Sequence, residues 1–315
     1  MLRRTGDLRL VTGIGDDCAV LRATGRSDLL VTTDFSLEGV HFRRDWHPPE
    51  FVGHRCLARG LSDIAAMGGE PVAAFLSLAV PDNLSQAWID RFLDGFLRLA
   101  RKFGVRLAGG DTSQSTQGVL ADVIVIGSIS RGQAILRSGA KPGDRIYVTG
   151  SLGESASALK LFYSKKKVDS KRFPRHFLPI PRIEVARILR MKNIPTSMID
   201  LSDGLSTDLS HLCEESHIGA EVNSAAIPIA QTGPKNKSAA FHLALHGGED
   251  YELLFTAPPG IKVSSRIAHV SITCIGEITR GQGMFLSDAN GRRSRLKPLG
   301  WEHFRAPQPT RQKTK

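Results

Sequence analysis

The sequence predicts an α/β (α+β) subunit of two domains. Three observations carry that expectation. Apolar runs of strand length alternate with helix-like amphipathic stretches through both halves of the chain. A polar segment from Arg137 to Asp144, RSGAKPGD, with a Pro-Gly turn signal, separates the halves. The 315 residues are enough for two hydrophobic cores. The expected division is residues 1–136, residues 137–305 and a disordered basic tail, 306–315.

In the first half, Leu29 to Phe35 (LLVTTDF) reads as a strand. Leu57 to Met67 reads as a helix stopped by Gly68-Gly69, and Val72 to Val80 as a buried strand. Trp88, Phe92, Phe96, Leu99 and Phe103 recur at helical spacing, which makes them core residues of an amphipathic helix ending near Gly104. The following VRLAGGD reads as a strand entering a glycine turn. In the second half, Ser155–Tyr163, Pro181–Met191 and Leu205–Ser216 read as helices. Thr196 to Gly204 reads as a strand leading into a turn, and Tyr251 to Ala257 as a strand.

The net charge of +11 invites a nucleic-acid reading, which its distribution opposes. Arg292–Lys315 contributes +7 and Lys160–Arg175 contributes +6, so the rest of the chain is slightly acidic. A tail and a surface loop carry the excess, whereas a phosphate-tracking groove needs charge along folded elements. No apolar run is long enough to span a bilayer, so no membrane partner is expected. Four widely spaced cysteines without a CxxC pair fit a reduced, cytoplasmic protein.

Acidic residues recur where apolar segments meet glycine, serine or threonine: GIGDD (13–17), TTD (32–34), LSD (61–63), GGDT (109–112), DLSDG (200–204) and GGED (247–250). Each alone is an ordinary turn; Asp208 reads as a surface charge, and Asp203 as a helix N-cap. Together they point to one shared pocket. Hard oxygen ligands, hydroxyls and glycine-freed backbone suit Mg²⁺ beside phosphates. The chain lacks GxxxxGK[ST], GxGxxG and the HRD/DFG pair. A nucleotide must therefore be held by some other glycine-rich arrangement. GSLGES (150–155) reads as a βα turn whose amides are able to hold an anion.

The ordered series GIGDDCAV, TTDFSLEGVHF, LSDIAAMGGEP, GGDT, RSGAKPGD, IDLSDGLSTDL and GGEDYEL resembles the thiamine-monophosphate kinase family, from about Gly13 to Phe304. That family shares a superfamily with aminoimidazole ribonucleotide synthetase and selenophosphate synthetase. The resemblance implies a homodimer whose N-terminal domains, each with a mixed sheet, build a β-barrel, and a C-terminal α/β domain. It implies ATP-dependent phosphorylation of thiamine monophosphate to thiamine diphosphate with several Mg²⁺. It assigns Asp17, Thr32, Thr33, Asp34, Asp63, Asp111, Asp200 and Asp203 to metal, with Asp34, Asp111 and Asp203 central to catalysis. Gly110, Asp111, Arg137 and Ser202 fall to ATP, and His41, Glu249 and Trp301 to the thiamine substrate. Arg55 stands where the family commonly has lysine, and Gly60 where it has asparagine. A related synthetase activity, and a non-catalytic nucleotide or nucleic-acid binder on the same scaffold, remain the alternatives at this point.

Overall fold

A computed structural model describes residues 9–233 and 237–302. The expected tail 306–315 lies outside them. Among the described residues, no helix is long and apolar enough to cross a membrane.

The first half builds one mixed sheet from β1 (Leu10–Thr12), β2 (Ala19–Arg22), β3 (Ser27–Leu37), β4 (Glu70–Val80), β5 (Arg106–Gln114) and β6 (Leu120–Ser130), in the order β1-β2-β3-β6-β4-β5. Its pairings are antiparallel except that of β4 with β5, which a helix connects. Two helices belong to this half, α1 (Pro49–Ala66) and α2 (Gln86–Lys102). The helix predicted from Leu57 starts eight residues earlier. Pro48 caps it and Pro49 opens it, a position where the missing N–H costs nothing. α1 and α2 cross closely at two glycines: a Cβ on Gly53 would lie 1.9 Å from the Phe92 carbonyl oxygen, and one on Gly95 1.8 Å from that of Glu50.

The alternation of β3, β4 and β6 sorts residues onto two faces. Leu30, Thr32, Ala74, Leu76, Val123 and Val125 turn inward with α1 into the main core. Phe35 and Val72, about half exposed, belong to the outward side. Among the described residues, no sheet closes into a barrel.

The second half carries β7 (Arg145–Thr149), β8 (Ser197–Asp200), β9 (Gly219–Asn223), β12 (Leu253–Ala257), β13 (Arg266–Ile267), β14 (Val270–Thr279), β15 (Gly283–Ser287) and β16 (Arg293–Leu296). β10 (Gln231–Gly233) and β11 (Lys237–Ser238) form a separate pair. The large sheet runs β16-β15-β9-β14-β7-β12-β8, with β13 on β14. Its helices are α3 (Glu154–Tyr163), α4 (Pro174–Phe177), α5 (Ile183–Met191), α6 (Leu205–Ser216) and α7 (Phe241–His246). α1 packs against the first sheet and also against α5 and β8, so one core joins the two halves.

The basic stretch 160–175 is more than a solvated loop. Lys165, Lys166 and Lys167 are exposed, but Phe173 is buried, and Arg175 reaches Ser151 Oγ at 2.7 Å and Glu252 at 3.6 Å.

Candidate active site

A cavity of about 720 Å³ opens between the two halves. Asp34, His41, Arg59 and Asp63 line it from the first half; Asp200, Ser202, Asp203, Glu249, Tyr251 and Trp301 line it from the second.

The acidic end is set by α1 and β8. Asp63 sits in the last turn of α1, and Asp200 ends strand β8, where Ser62 Oγ donates to its Oδ2 at 2.6 Å. Asp17 completes a group with Asp63 and Asp200 in which one carboxylate oxygen from each lies within 4.8 Å of the other two. Thr32 Oγ1 donates to Asp63 Oδ2. Asp34 approaches from β3, and its Oδ2 is buried without a hydrogen-bond partner. Burial pushes the carboxyls of Asp17, Asp34, Asp63 and Asp200 above their ordinary range, and the neighbouring acids push Asp63 and Asp200 further. Arg137 pairs with Asp17 at 2.9 Å, and its backbone N–H donates to Asp16 at 2.9 Å. Burial holds Asp16 at about 6.

Three carboxyls clustered on the cavity wall, with Asp34 and its orphaned oxygen beside them, fit a hard divalent cation. Asp17, Asp34, Asp63 and Asp200 are the residues able to hold it, with Thr32 supporting Asp63.

The DLSDG loop departs from both local readings. Asp203 does not cap α6; Gly204 holds that position, at a φ of 111°. Asp208, expected at the surface, is buried, and its Oδ2 accepts from the N–H groups of Asp203 (3.1 Å) and Gly204 (2.9 Å). It folds the loop that turns Ser202 and Asp203 into the cavity. The GSLGES amides do meet an anion, but an internal one: Gly153 N–H donates to both oxygens of buried Asp250, at 3.1 and 2.9 Å.

In the same cavity, Glu249 has a φ of 64° and Tyr251 one of 48°, so the GGEDY turn holds two non-glycine residues in the left-handed region. Arg55 Nη2 donates to Glu249 Oε1 at 2.7 Å, while its Nη1 donates to the His176 carbonyl. Burial alone would raise the Glu249 carboxyl; Arg55, with His176 and Arg59, outweighs it and holds the group at about 2. His41 Nδ1 accepts from Leu37 N–H at 3.0 Å, so the neutral ring carries its proton on Nε2. Trp301 is half exposed at the rim, and its backbone N–H donates to the Asp203 carbonyl at 3.0 Å.

The cavity and its acidic wall thus unite Asp17, Thr32, Asp34, His41, Asp63, Arg137, Asp200, Ser202, Asp203, Glu249 and Trp301. Thr33, Gly110 and Asp111 lie elsewhere in the chain. Thr33 Oγ1 donates to Asp122 at 2.8 Å on the opposite face of β3 from Asp34. Asp111 is exposed on edge strand β5, in register with Ser77, which is in register with Asp122. Ser62, Arg59 and Asp208 were not foreseen; each sits one, four or five residues from a predicted acid, and helical spacing is the signal for Arg59, which shares a face of α1 with Arg55 and Asp63.

The chain matches the AIR synthase related protein N-terminal domain over residues 15–129 and the AIR synthase related protein C-terminal domain over residues 141–289. It is 38% identical to thiamine-monophosphate kinase of Escherichia coli (strain K12), across 96% of this chain and 95% of that one. It is 35% identical to thiamine-monophosphate kinase of Bacillus subtilis (strain 168), across 93% of each. Among solved structures, AaThiL complexed with AMPPCP and TMP superposes with a TM-score of 0.80 at 32% identity, covering 92% of both chains. The thiamine-monophosphate kinase of Stenotrophomonas maltophilia K279a gives 0.75 at 33%, covering 92% of this chain and 93% of that one. By these matches over nearly its whole length, the chain belongs to the thiamine-monophosphate kinase family of AIR synthase related proteins.

Proposed function

We propose that this chain transfers the γ-phosphoryl group of ATP to thiamine monophosphate, giving thiamine diphosphate by direct in-line displacement. The observation that carries the reading is the cavity itself. It is lined by the carboxylates of Asp34, Asp63, Asp200 and Asp203, suited to metal-bound phosphates, and by Glu249, His41 and Trp301, suited to a cationic heterocycle. Relatives over nearly the full length bear the kinase name, and one was solved with AMPPCP and TMP.

The acceptor is a phosphate whose second pKa is about 6, so it arrives ionised and needs no general base. The barrier is repulsion between anions, about 4 kcal/mol per pair of unit charges 4 Å apart at an effective dielectric near 20. Mg²⁺, when bound, neutralises phosphate charge and aligns donor with acceptor. Asp17, Asp34, Asp63, Asp200 and Asp203, with Thr32, are the groups assigned to it. Arg137 steadies the triphosphate, and Ser202 offers it a hydroxyl. His41 Nε2–H donates to the substrate, Glu249 accepts from the aminopyrimidine, and Trp301 lies against the thiazolium.

Thr33, Gly110 and Asp111 enter the same reading as nucleotide- and metal-side groups near the outward sheet face. That face, with half-exposed Phe35 and Val72 beside the exposed strand β5, supports a homodimer built through residues 1–136. Residues 137–305 then form the second domain. Four free cysteines, three of them buried, support a reducing cytoplasmic setting.

The test is ADP formation by the purified chain with ATP, Mg²⁺ and thiamine monophosphate, with thiamine as the control acceptor. Stoichiometric thiamine diphosphate supports the reading; ATP turnover independent of either acceptor overturns it.

A further inference from the structure

Helix α1 carries Arg55, Arg59 and Asp63 on one face at four-residue spacing, and Arg59 and Asp63 line the cavity. Asp63 belongs to the acidic end. Arg55 is committed: it holds Glu249 at 2.7 Å and the His176 carbonyl. Arg59 is placed differently. Its Nε lies 3.7 Å from Asp34 Oδ1 and its Nη1 3.8 Å from Glu249 Oε1, ion-pair distances too long for hydrogen bonds. The Arg59 Nε is buried with no hydrogen-bond partner. An Nε–H that has left water without regaining an acceptor is costly, and the planar guanidinium fork facing the cavity matches a phosphate.

The other cations lining the cavity are less suited to supply that group. Arg43 is held by Asp45 through two 3.0 Å hydrogen bonds and lies over Trp46 at 4.6 Å. Lys160 is exposed. Arg59 alone among them stands between the metal-side Asp34 and the thiamine-side Glu249. An acceptor phosphate must lie along that line, because it joins the heterocycle to the incoming phosphoryl group.

We infer that Arg59 is a substrate-binding residue that receives the phosphate monoester of the acceptor and makes this chain prefer thiamine monophosphate to thiamine. The inference rests on the kinase reading above. Arg59 changes no bond; it offsets the repulsion that Asp34 and Asp63 impose on an entering phosphate.

The test uses the full chain as wild type, Arg59→Met and Arg59→Lys. Thiamine monophosphate and thiamine are titrated separately by calorimetry, with Mg²⁺ and AMPPCP present so that no turnover occurs. Wild type binds the phosphorylated ligand more tightly. Arg59→Met weakens it about 30-fold or more, as loss of charged hydrogen bonds implies, and leaves thiamine affinity within about twofold. The KM for thiamine monophosphate rises in parallel, the KM for ATP stays within about threefold, and Arg59→Lys recovers part of the loss. Unchanged affinity in Arg59→Met, or an equal loss for both ligands, overturns the inference while wild-type turnover leaves the kinase reading standing. If Arg59→Met fails to fold, Arg59→Lys decides: a loss for the phosphorylated ligand alone supports the role, and wild-type affinity overturns it. A wild type that neither binds nor phosphorylates thiamine monophosphate defeats both readings.

Discussion

Ser62 Oγ donates a 2.6 Å hydrogen bond to Asp200 Oδ2, which ties the last turn of α1 to the end of β8. One helix packed on the first sheet thereby fixes an acid from the second. Asp63, the next residue on α1, shares a 4.8 Å cluster with that acid and with Asp17.

Asp200→Asn and Asp63→Asn are expected to lower kcat by about 10³-fold or more, because an uncharged isostere cannot balance a metal ion. The same variants relieve crowded, desolvated charge. Their melting temperature in EDTA is expected to match or exceed that of wild type. A variant that melts earlier in EDTA would tie the cluster to folding and not to metal.

Mg²⁺ is expected to stabilise wild type by about 2.7 kcal/mol at a hundredfold excess over its dissociation constant. Thermal unfolding with MgCl₂ against NaCl of equal ionic strength reads this directly. Asp200→Asn is expected to lose most of the increment.

Asp208→Ala is expected to cost about 1–3 kcal/mol, since two buried N–H groups lose their acceptor. Misplacement of Asp203 lowers kcat as well. Asp208→Asn keeps an acceptor oxygen and is expected to stay within about 1 kcal/mol of wild type. Denaturant unfolding of both variants distinguishes a loop-folding role from a charge role.

Glu249 sits at about 2 in the folded protein against an ordinary value of 4.5. A depressed carboxyl stabilises the fold above its unfolded value, and that contribution disappears as pH falls from about 4.5 toward 2. Its full size is about 3 kcal/mol. Glu249→Gln is expected to be less stable than wild type at pH 7, with the difference shrinking toward pH 2.5. A difference constant across that range would contradict the Arg55 pairing as its source.

A protomer joined through its outward sheet face is expected to elute and scatter light as a dimer. Phe35→Asp on that face is expected to yield monomers that retain their helical circular dichroism. A wild type that is monomeric at 50–100 μM (roughly where a standard-size interface would saturate) would remove the dimer from the reading.

Much of the architecture was legible because it is local. The Trp88–Phe103 spacing announced α2, and the strand-length apolar runs at Leu29 and Val72 announced β3 and β4. The early start of α1 was missed because residues 49–56 are buried on several sides and lack a clean amphipathic stripe. Asp208 was misread because a charge at the start of a helix is normally solvated, and only the fold back of the DLSDG loop gives it two donors. The stretch 160–175 looked like a charged loop because its buried Phe173 stands among lysines and arginines.

The sequence alone determined which residue types carry the chemistry: acids beside glycine and hydroxyl groups, in an order that assigns the family. The tertiary structure decided which of them meet. Asp17, Asp63 and Asp200 are up to 183 residues apart and converge because α1 packs against both sheets, while Asp111 stays on an open edge. It also decided the electrostatic setting of the buried acids. Burial and neighbouring ions move a carboxyl up in the Asp63 cluster and down at Glu249, and neither burial nor a distant neighbour is written in the residues around it.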